Sequence, residues 1–237
     1  MNSKWVNVLI NDKPVEAYLS TPDGQGPHPG IVVAMHVFGI DKFVQGKCDA
    51  LAEEGYIAIA PYLFHRSGIS NNQLISYKFE DPMRREIAMP LKDKLIDCEI
   101  IDDMLAALDY LKKMDTSGSS FGVTGFCIGG RIAILMGVHS TEFVACADFY
   151  GVDMPTKKEL LAYNKNNQEM CKYINAKSLK FLSLDGLYMA LLGEKRMANY
   201  PQFSDHYFTG DYPIKPSDNL KGLQIKQLSL LSGKSNN

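Results

Sequence analysis

Residues Phe121 to Arg131 read Phe-Gly-Val-Thr-Gly-Phe-Cys-Ile-Gly-Gly-Arg, and this stretch decides the fold. The apolar run to Phe126 predicts a short strand, the glycines after Cys127 open a helix, and one residue stands alone between them. That strand-turn-helix order is the grammar of a nucleophile elbow, with Gly125 and Gly129 at the spacing G-x-C-x-G around the reactive position. A side chain at either glycine would meet the neighbouring strand or helix. Cys127 takes the place usually held by serine. The helix that follows aims its positive end at the sulfur, which predicts a lowered thiol pKa. The backbone N–H of Ile128 is then one half of an oxyanion hole. The alternative is a small buried cysteine in an ordinary strand-to-helix turn, because free cysteine is among the most buried residue types.

Upstream of the elbow, Gly30 to Met35 is a continuous apolar run, which predicts a strand covered on both faces. Asp41 can cap the next helix, whose apolar face includes Val44, Cys48 and Leu51 and whose stop is Gly55. Tyr56 to Ala60 reads as another buried strand, so strand, helix and strand form a parallel crossover unit. Trp5 to Ile10 and Pro14 to Ser20 alternate as a hairpin across Asn11, Asp12 and Lys13. Residues 62 to 90 are polar and irregular and predict an excursion above the sheet. A long helix opens at Leu91, with Leu95, Cys98, Ile101, Leu105 and Leu108 on one face and Asp102 and Asp103 on the solvated one. Phe143 to Tyr150 is the last clear core strand. The fold class is α/β, with a mainly parallel sheet and helices on both faces.

The chain has 237 residues and a formal charge of −2, but residues 1–150 carry 13 basic and 19 acidic side chains while the remainder carry 12 and 8. That shift places a boundary near residue 150. Neither part carries the charge expected of a nucleic-acid binder, and no stretch approaches the roughly 18 apolar residues of a membrane span. Cys48, Cys98, Cys127, Cys146 and Cys171 form no C-x-x-C pair and no metal-ligand spacing, which reads as a reduced, cytoplasmic protein without a metal site.

Taken together, Ile31 to Asp41 (IVVAMHVFGID), Leu51 to Arg66 (LAEEGYIAIAPYLFHR), Val123 to Arg131 (VTGFCIGGR) and Tyr150-Gly151 resemble the dienelactone hydrolase family of α/β-hydrolases over about residues 28 to 151. The resemblance implies an ester or lactone hydrolase without cofactor, acting on a small molecule. It carries Cys127 over as nucleophile, puts the second oxyanion donor in the loop His36 to Phe38, and assigns Arg66 to an anionic substrate. Many members hold a glutamate where this chain has His36, and an aspartate where it has Tyr62. His36 is therefore either a histidine serving the thiol or a strand-end residue bonded locally, and Arg66 either a substrate anchor or a solvated loop charge.

Beyond residue 150 a different resemblance takes over. Tyr150 to Ala162 (YGVDMPTKKELLA), Ile174 to Tyr188 (INAKSLKFLSLDGLY) and Pro201 to Pro213 (PQFSDHYFTGDYP) are similar to the C-terminal segment of amidophosphoribosyltransferase. Some members of that family hold an iron–sulfur cluster in this region. Ser204 and Tyr207 stand at the cysteine places here, so no cluster is implied. The transferase's diphosphate loop is also missing, because Met104 and Leu105 follow Ile100-Ile101-Asp102-Asp103 where a glycine-hydroxyl turn would cradle phosphate.

An α/β-hydrolase needs a base and an orienting acid after the elbow. The tail's own pattern accounts for Asp205 and His206 without a triad. His36 is then the nearest histidine expected at Cys127. The reading is a dienelactone-hydrolase-like domain over residues 1–150, incomplete on its C-terminal side, and a mostly helical segment over 151–237, with helices over 155–163, 168–174 and 184–192 and no two further parallel strands. Its chemistry is ester or lactone hydrolysis weakened by an unrecognisable base. The rivals are an inactive fusion or vestigial protein, or a fragment of the transferase.

Overall fold

The computed structural model describes residues 1–153 and 181–183. The chain divides into two compact units, Met1–Ser183 and Leu184–Asn237, of which the second lies outside the described residues. Strands β1 (Asn2–Ile10) and β2 (Lys13–Thr21) form the expected hairpin. Its tight turn is Asn11 and Asp12, both at positive φ (49° and 61°), a conformation that Asn and Asp tolerate better than most residues. Next come β3 (His28–Ala34), α1 (Lys42–Glu53) and β4 (Ile57–Pro61), with β3 and β4 parallel as the crossover rule requires. The Asp41 carboxylate caps α1 by accepting from the N–H groups of Phe43 and Val44, and Gly55 at φ 91° follows its end.

The region between residues 62 and 96 differs from the expected irregular excursion. It contains a 3₁₀ turn at His65–Ser67 and two helices, α2 (Asn71–Ile75) and α3 (Pro82–Asp93). Asp81 caps α3 with Pro82 in its first turn, a start signature that the polar composition of the stretch obscured. The single long helix expected from Leu91 is two helices. Lys94 closes α3, and α4 (Asp97–Lys112) begins after Ile96, an extended residue at φ −116° and ψ 125°. Leu91 and Leu95 keep a helical spacing across this break because both pack against the same core.

The elbow strand β5 (Ser117–Phe126), α5 (Ile128–His139) and β6 (Phe143–Phe149) follow as expected. Among the described residues seven strands form one sheet in the order β1-β2-β4-β3-β5-β6-β7. Its last member, β7 (Phe181–Ser183), runs parallel to β6 with Phe181 opposite Cys146. Among the described residues, the part beyond residue 150 therefore supplies one parallel strand. The three helices expected there lie outside the described residues. Every residue of β4 is buried, with α1 against it from one face and α4 from the other. The core runs through Val32, Ile59, Leu108 and Ile132, all fully buried. Because β5 pairs in parallel with both β3 and β6, its carboxyl end opens at the middle of the sheet's carboxyl edge. In open α/β sheets that edge is where ligands bind.

Candidate active site

Cys127 stands alone between β5 and α5 at φ 58° and ψ −121°. A non-glycine residue rarely adopts positive φ, and it persists only where its surroundings hold it. Here the cysteine N–H donates to Phe149 O at 3.0 Å, while its carbonyl accepts from Gly130 at 2.9 Å and from Val152 at 3.3 Å. The turn also needs its glycines. A Cβ on Gly125 would overlap the backbone of Gly129, and one on Gly129 would overlap the carbonyls of Ala34 and Met35. The spacing G-x-C-x-G is thus a close approach of β5, α5 and the end of β3.

The sulfur is half-buried, and burial pushes the Cys127 thiol up from its ordinary value. The backbone N–H groups of Ile128 and Val37 pull it the other way, with a smaller help from Lys92 and opposition from Asp153, and they do not prevail. This reverses the lowered pKa expected from the helix N-terminus, because loss of water around the thiolate outweighs the few dipoles aimed at it. The donor facing the sulfur from the loop after β3 is Val37. The N–H of Phe38, expected in that role, donates instead to His36 Nδ1 at 3.0 Å.

That bond also settles the tautomer of His36. With Nδ1 accepting, the ring proton belongs on Nε2, which lies 3.0 Å from Asp41 Oδ1. Both nitrogens of this buried ring are occupied, and among the described residues no histidine hydrogen-bonds the Cys127 sulfur. Asp41 gathers the α1 cap, His36 and the Arg84 Nη2 at 2.8 Å. Burial would raise the Asp41 carboxyl, but His36, Arg84 and the Val44 N–H together hold it down at about 2. Arg84 also donates to Phe38 O at 3.2 Å, and its guanidinium lies 5.0 Å from the centre of the Phe38 ring. The sequence had shown Asp41 only as a cap and had not singled out Arg84. The capped start at Asp81-Pro82 was the available signal that Arg84 sits on a helix.

Arg66 does not open toward the elbow. Its fork closes on the buried Asp103, Nη1 to Oδ2 and Nη2 to Oδ1, both at 2.7 Å, with Glu99 3.5 Å from Nε. His65 Nε2 lies 3.0 Å from the same Asp103 oxygen. Asp103, expected on the solvated face of α4, is 1 % exposed and ties the turn after β4 to that helix. Asp102 is exposed as expected. Asp205 and His206 lie outside the described residues. No helix among the described residues is long and apolar enough to cross a membrane.

Comparison with known proteins gives two kinds of match. A family model described as the dienelactone hydrolase family matches residues 15–177, past the boundary expected at residue 150. A candidate carboxymethylenebutenolidase of Methylorubrum extorquens is 32% identical over 153 residues, covering 62% of this chain and 48% of that protein. The chain thus spans about half the length of the curated relatives of this kind that it matches. The amidophosphoribosyltransferase of Rhizobium etli is 50% identical over 86 residues, a partial match covering 36% of this chain and 17% of that protein. In fold, the crystal structure of a candidate dienelactone hydrolase from Klebsiella pneumoniae superposes with a TM-score of 0.58 at 19% identity, over 86% of this chain and 97% of that one.

Proposed function

We propose that this chain, which belongs to the dienelactone hydrolase family, hydrolyses a small-molecule ester or lactone with Cys127 as the nucleophile. The observation that carries the reading is the strained Cys127 backbone, which presents the sulfur between the N–H groups of Val37 and Ile128. The sulfur attacks the carbonyl carbon, and the carbonyl oxygen takes up negative charge where those two groups can donate to it. Collapse of the tetrahedral species expels the alcohol and leaves a thioester on Cys127. Water then cleaves the thioester to the free acid and restores the thiol.

The thiol proton needs an acceptor, and His36 has no free nitrogen to take it. A positioned base contributes about 10²- to 10⁴-fold, so turnover supported by residues 1–153 alone is slow. The occupied ring of His36 also supports the second reading, a family member that has lost catalysis. We read the chain as two parts, a hydrolase-like one over residues 1–150 and one over 151–237 that resembles the transferase segment. The four cysteines among the described residues, Cys48, Cys98, Cys127 and Cys146, are free thiols, which favours the reducing cytoplasm as its place of work.

The test is release of p-nitrophenol from p-nitrophenyl acetate by the full chain and by Cys127→Ala, with mass analysis of the Cys127 peptide after a quench. Release above the variant's rate, with an acetyl group trapped on Cys127, is the expected result. Equal rates for the two proteins would leave only the inactive reading.

A further inference from the structure

The loop from His36 to Asp41 carries the Val37 N–H that faces the Cys127 sulfur, and its own groups do little to hold it. Gly39 donates to His36 O at 3.1 Å, and Phe38 donates to His36 Nδ1 at 3.0 Å. Further anchors come from side chains outside the loop. Ile40 donates to Asn71 Oδ1 at 2.8 Å, and its carbonyl accepts from Asn71 Nδ2 at 3.3 Å and Gln45 Nε2 at 3.0 Å. Phe38 O accepts from Arg84 Nη2 at 3.2 Å, and the same nitrogen donates to Asp41 Oδ2 at 2.8 Å. Asn71 of α2 is fully buried and Arg84 of α3 is 4 % exposed. Two helices that follow β4 in the chain thus supply a buried scaffold for the loop that follows β3.

Stability does not explain Arg84. Its Nε is buried without a hydrogen-bond partner among the described residues, and a buried donor left unpaired costs free energy. Its charge is also withdrawn from water, and exchanging such a buried pair for apolar side chains is often neutral or stabilising. Asp41 does not depend on it alone, since His36 Nε2 and the N–H groups of Phe43 and Val44 bond that carboxylate as well. Among the described side chains, Arg84 is the one that grips both the carbonyl and the ring of Phe38. Nη2 takes the carbonyl, and the guanidinium lies 5.0 Å from the centre of the ring. With the Phe38 N–H on His36, the residue after Val37 is fixed at its N–H, its ring and its carbonyl.

We propose that Arg84 is a positioning residue, which holds Phe38 so that the Val37 N–H points at the Cys127 sulfur and, during reaction, at the carbonyl oxygen of the substrate. This rests on the hydrolase reading above. An oxyanion donor is effective because it is fixed before the charge develops, and a misplacement of about 1 Å can cost about 10²-fold. Arg84 acts through the loop and not by its own charge on the sulfur. The charges that bear on the thiol are those of Lys92 and Asp153, which no change at Arg84 removes.

The experiment follows alkylation of Cys127 by iodoacetamide from about pH 7 to 11, by mass analysis of its peptide, in the full chain and in three variants checked first by thermal melting. Arg84→Met keeps an apolar stem and loses both bonds. Val37 then drifts from the sulfur, and the profile should move up by about one pH unit, the worth of one hydrogen bond to a charged group. Arg84→Lys should keep the bond to Asp41 and release the Phe38 carbonyl, because a compact ammonium goes to the carboxylate, and its profile should lie between the other two. Asp49→Asn weakens the acceptor that Ser3, Ser20 and Tyr18 share between β1, β2 and α1, so it should melt earlier with an unmoved profile. For p-nitrophenyl acetate, Arg84→Met should lower kcat about ten- to hundredfold and leave KM within about twofold. A rise in KM alone would make Arg84 a binding residue and overturn the assignment. So would an Arg84→Met profile that coincides with the parent's, or an equal shift in Asp49→Asn. If Arg84→Met does not fold, Arg84→Lys decides, and a parent-like profile in it overturns the assignment. If the parent cleaves the ester no faster than Cys127→Ala, the hydrolase reading fails while the alkylation profiles still decide what Arg84 does.

Discussion

Asp148 is the buried acid whose removal should make this protein more stable. It is the last residue but one of β6, with 2 % of its surface exposed, and Oδ1 accepts the Gly151 N–H at 2.9 Å. On its other side the oxygen presses on the first turn of α5, where a Cβ on Gly130 would overlap it. Burial lifts the carboxyl from its ordinary 3.8 to about 6, and the Gly151 N–H does not bring it back. The folded chain therefore keeps a proton that the unfolded chain releases between those values. Stability falls as pH rises through that window, and above about pH 6 the full cost applies. At 1.36 kcal/mol per tenfold change in proton affinity, that cost is on the order of 3 kcal/mol. In Asp148→Asn the amide oxygen still accepts from Gly151 and nothing ionises, while the new NH₂ group needs a partner, so the net gain is about 2 kcal/mol. Urea midpoints for both proteins at about pH 4.5 and pH 8, at constant salt, measure it, and the variant should gain stability relative to the parent only at the higher pH. A variant equally destabilised at both pH values would mean that Asp148 is an ionised, hydrogen-bonded acid and would refute the reasoning.

Three further outcomes follow from the same geometry. Gly125→Ala drives a Cβ into the Gly129 backbone and should cost about 3 kcal/mol or prevent folding, whereas Gly46→Ala in α1, with nothing within 4 Å of its new methyl, should stabilise by about 1 kcal/mol; similar thermal melts for the two would contradict this account of the elbow. Asp103→Asn strips Arg66 and His65 of their shared carboxylate. It should lower unfolding free energy by about 2 kcal/mol, less than a fully buried pair would lose because Arg66 is 32% exposed. Unchanged urea midpoints would show that the pairing contributes nothing. Because burial pushes the Cys127 thiol up, its iodoacetamide rate should still be climbing above about pH 9, followed by mass analysis of the Cys127 peptide; a plateau reached below about pH 8 would show an activated thiolate instead.

What the sequence by itself determined were the features that a few neighbouring residues impose on one another. The elbow follows from Gly125, Cys127 and Gly129, the hairpin from Asn11 and Asp12, and the start of α1 from Asp41, because steric clash and capping act within a turn or two of chain. The family resemblance was legible for the same reason, in short runs around those turns. The tertiary structure alone decided which charges meet and how much water they keep. Arg66 and Asp103 are 37 positions apart, and Arg84 and Asp41 are 43, so no local pattern announces either pair. The helical spacing of Leu91 and Leu95 persists across the gap between α3 and α4, since a period reports the face that is buried and not the continuity of the backbone. Val37 rather than Phe38 faces the sulfur because His36 Nδ1 claims the Phe38 N–H. The Cys127 thiol is raised rather than lowered because desolvation is set by everything packed around it, and packing comes from parts of the chain far from the elbow in sequence.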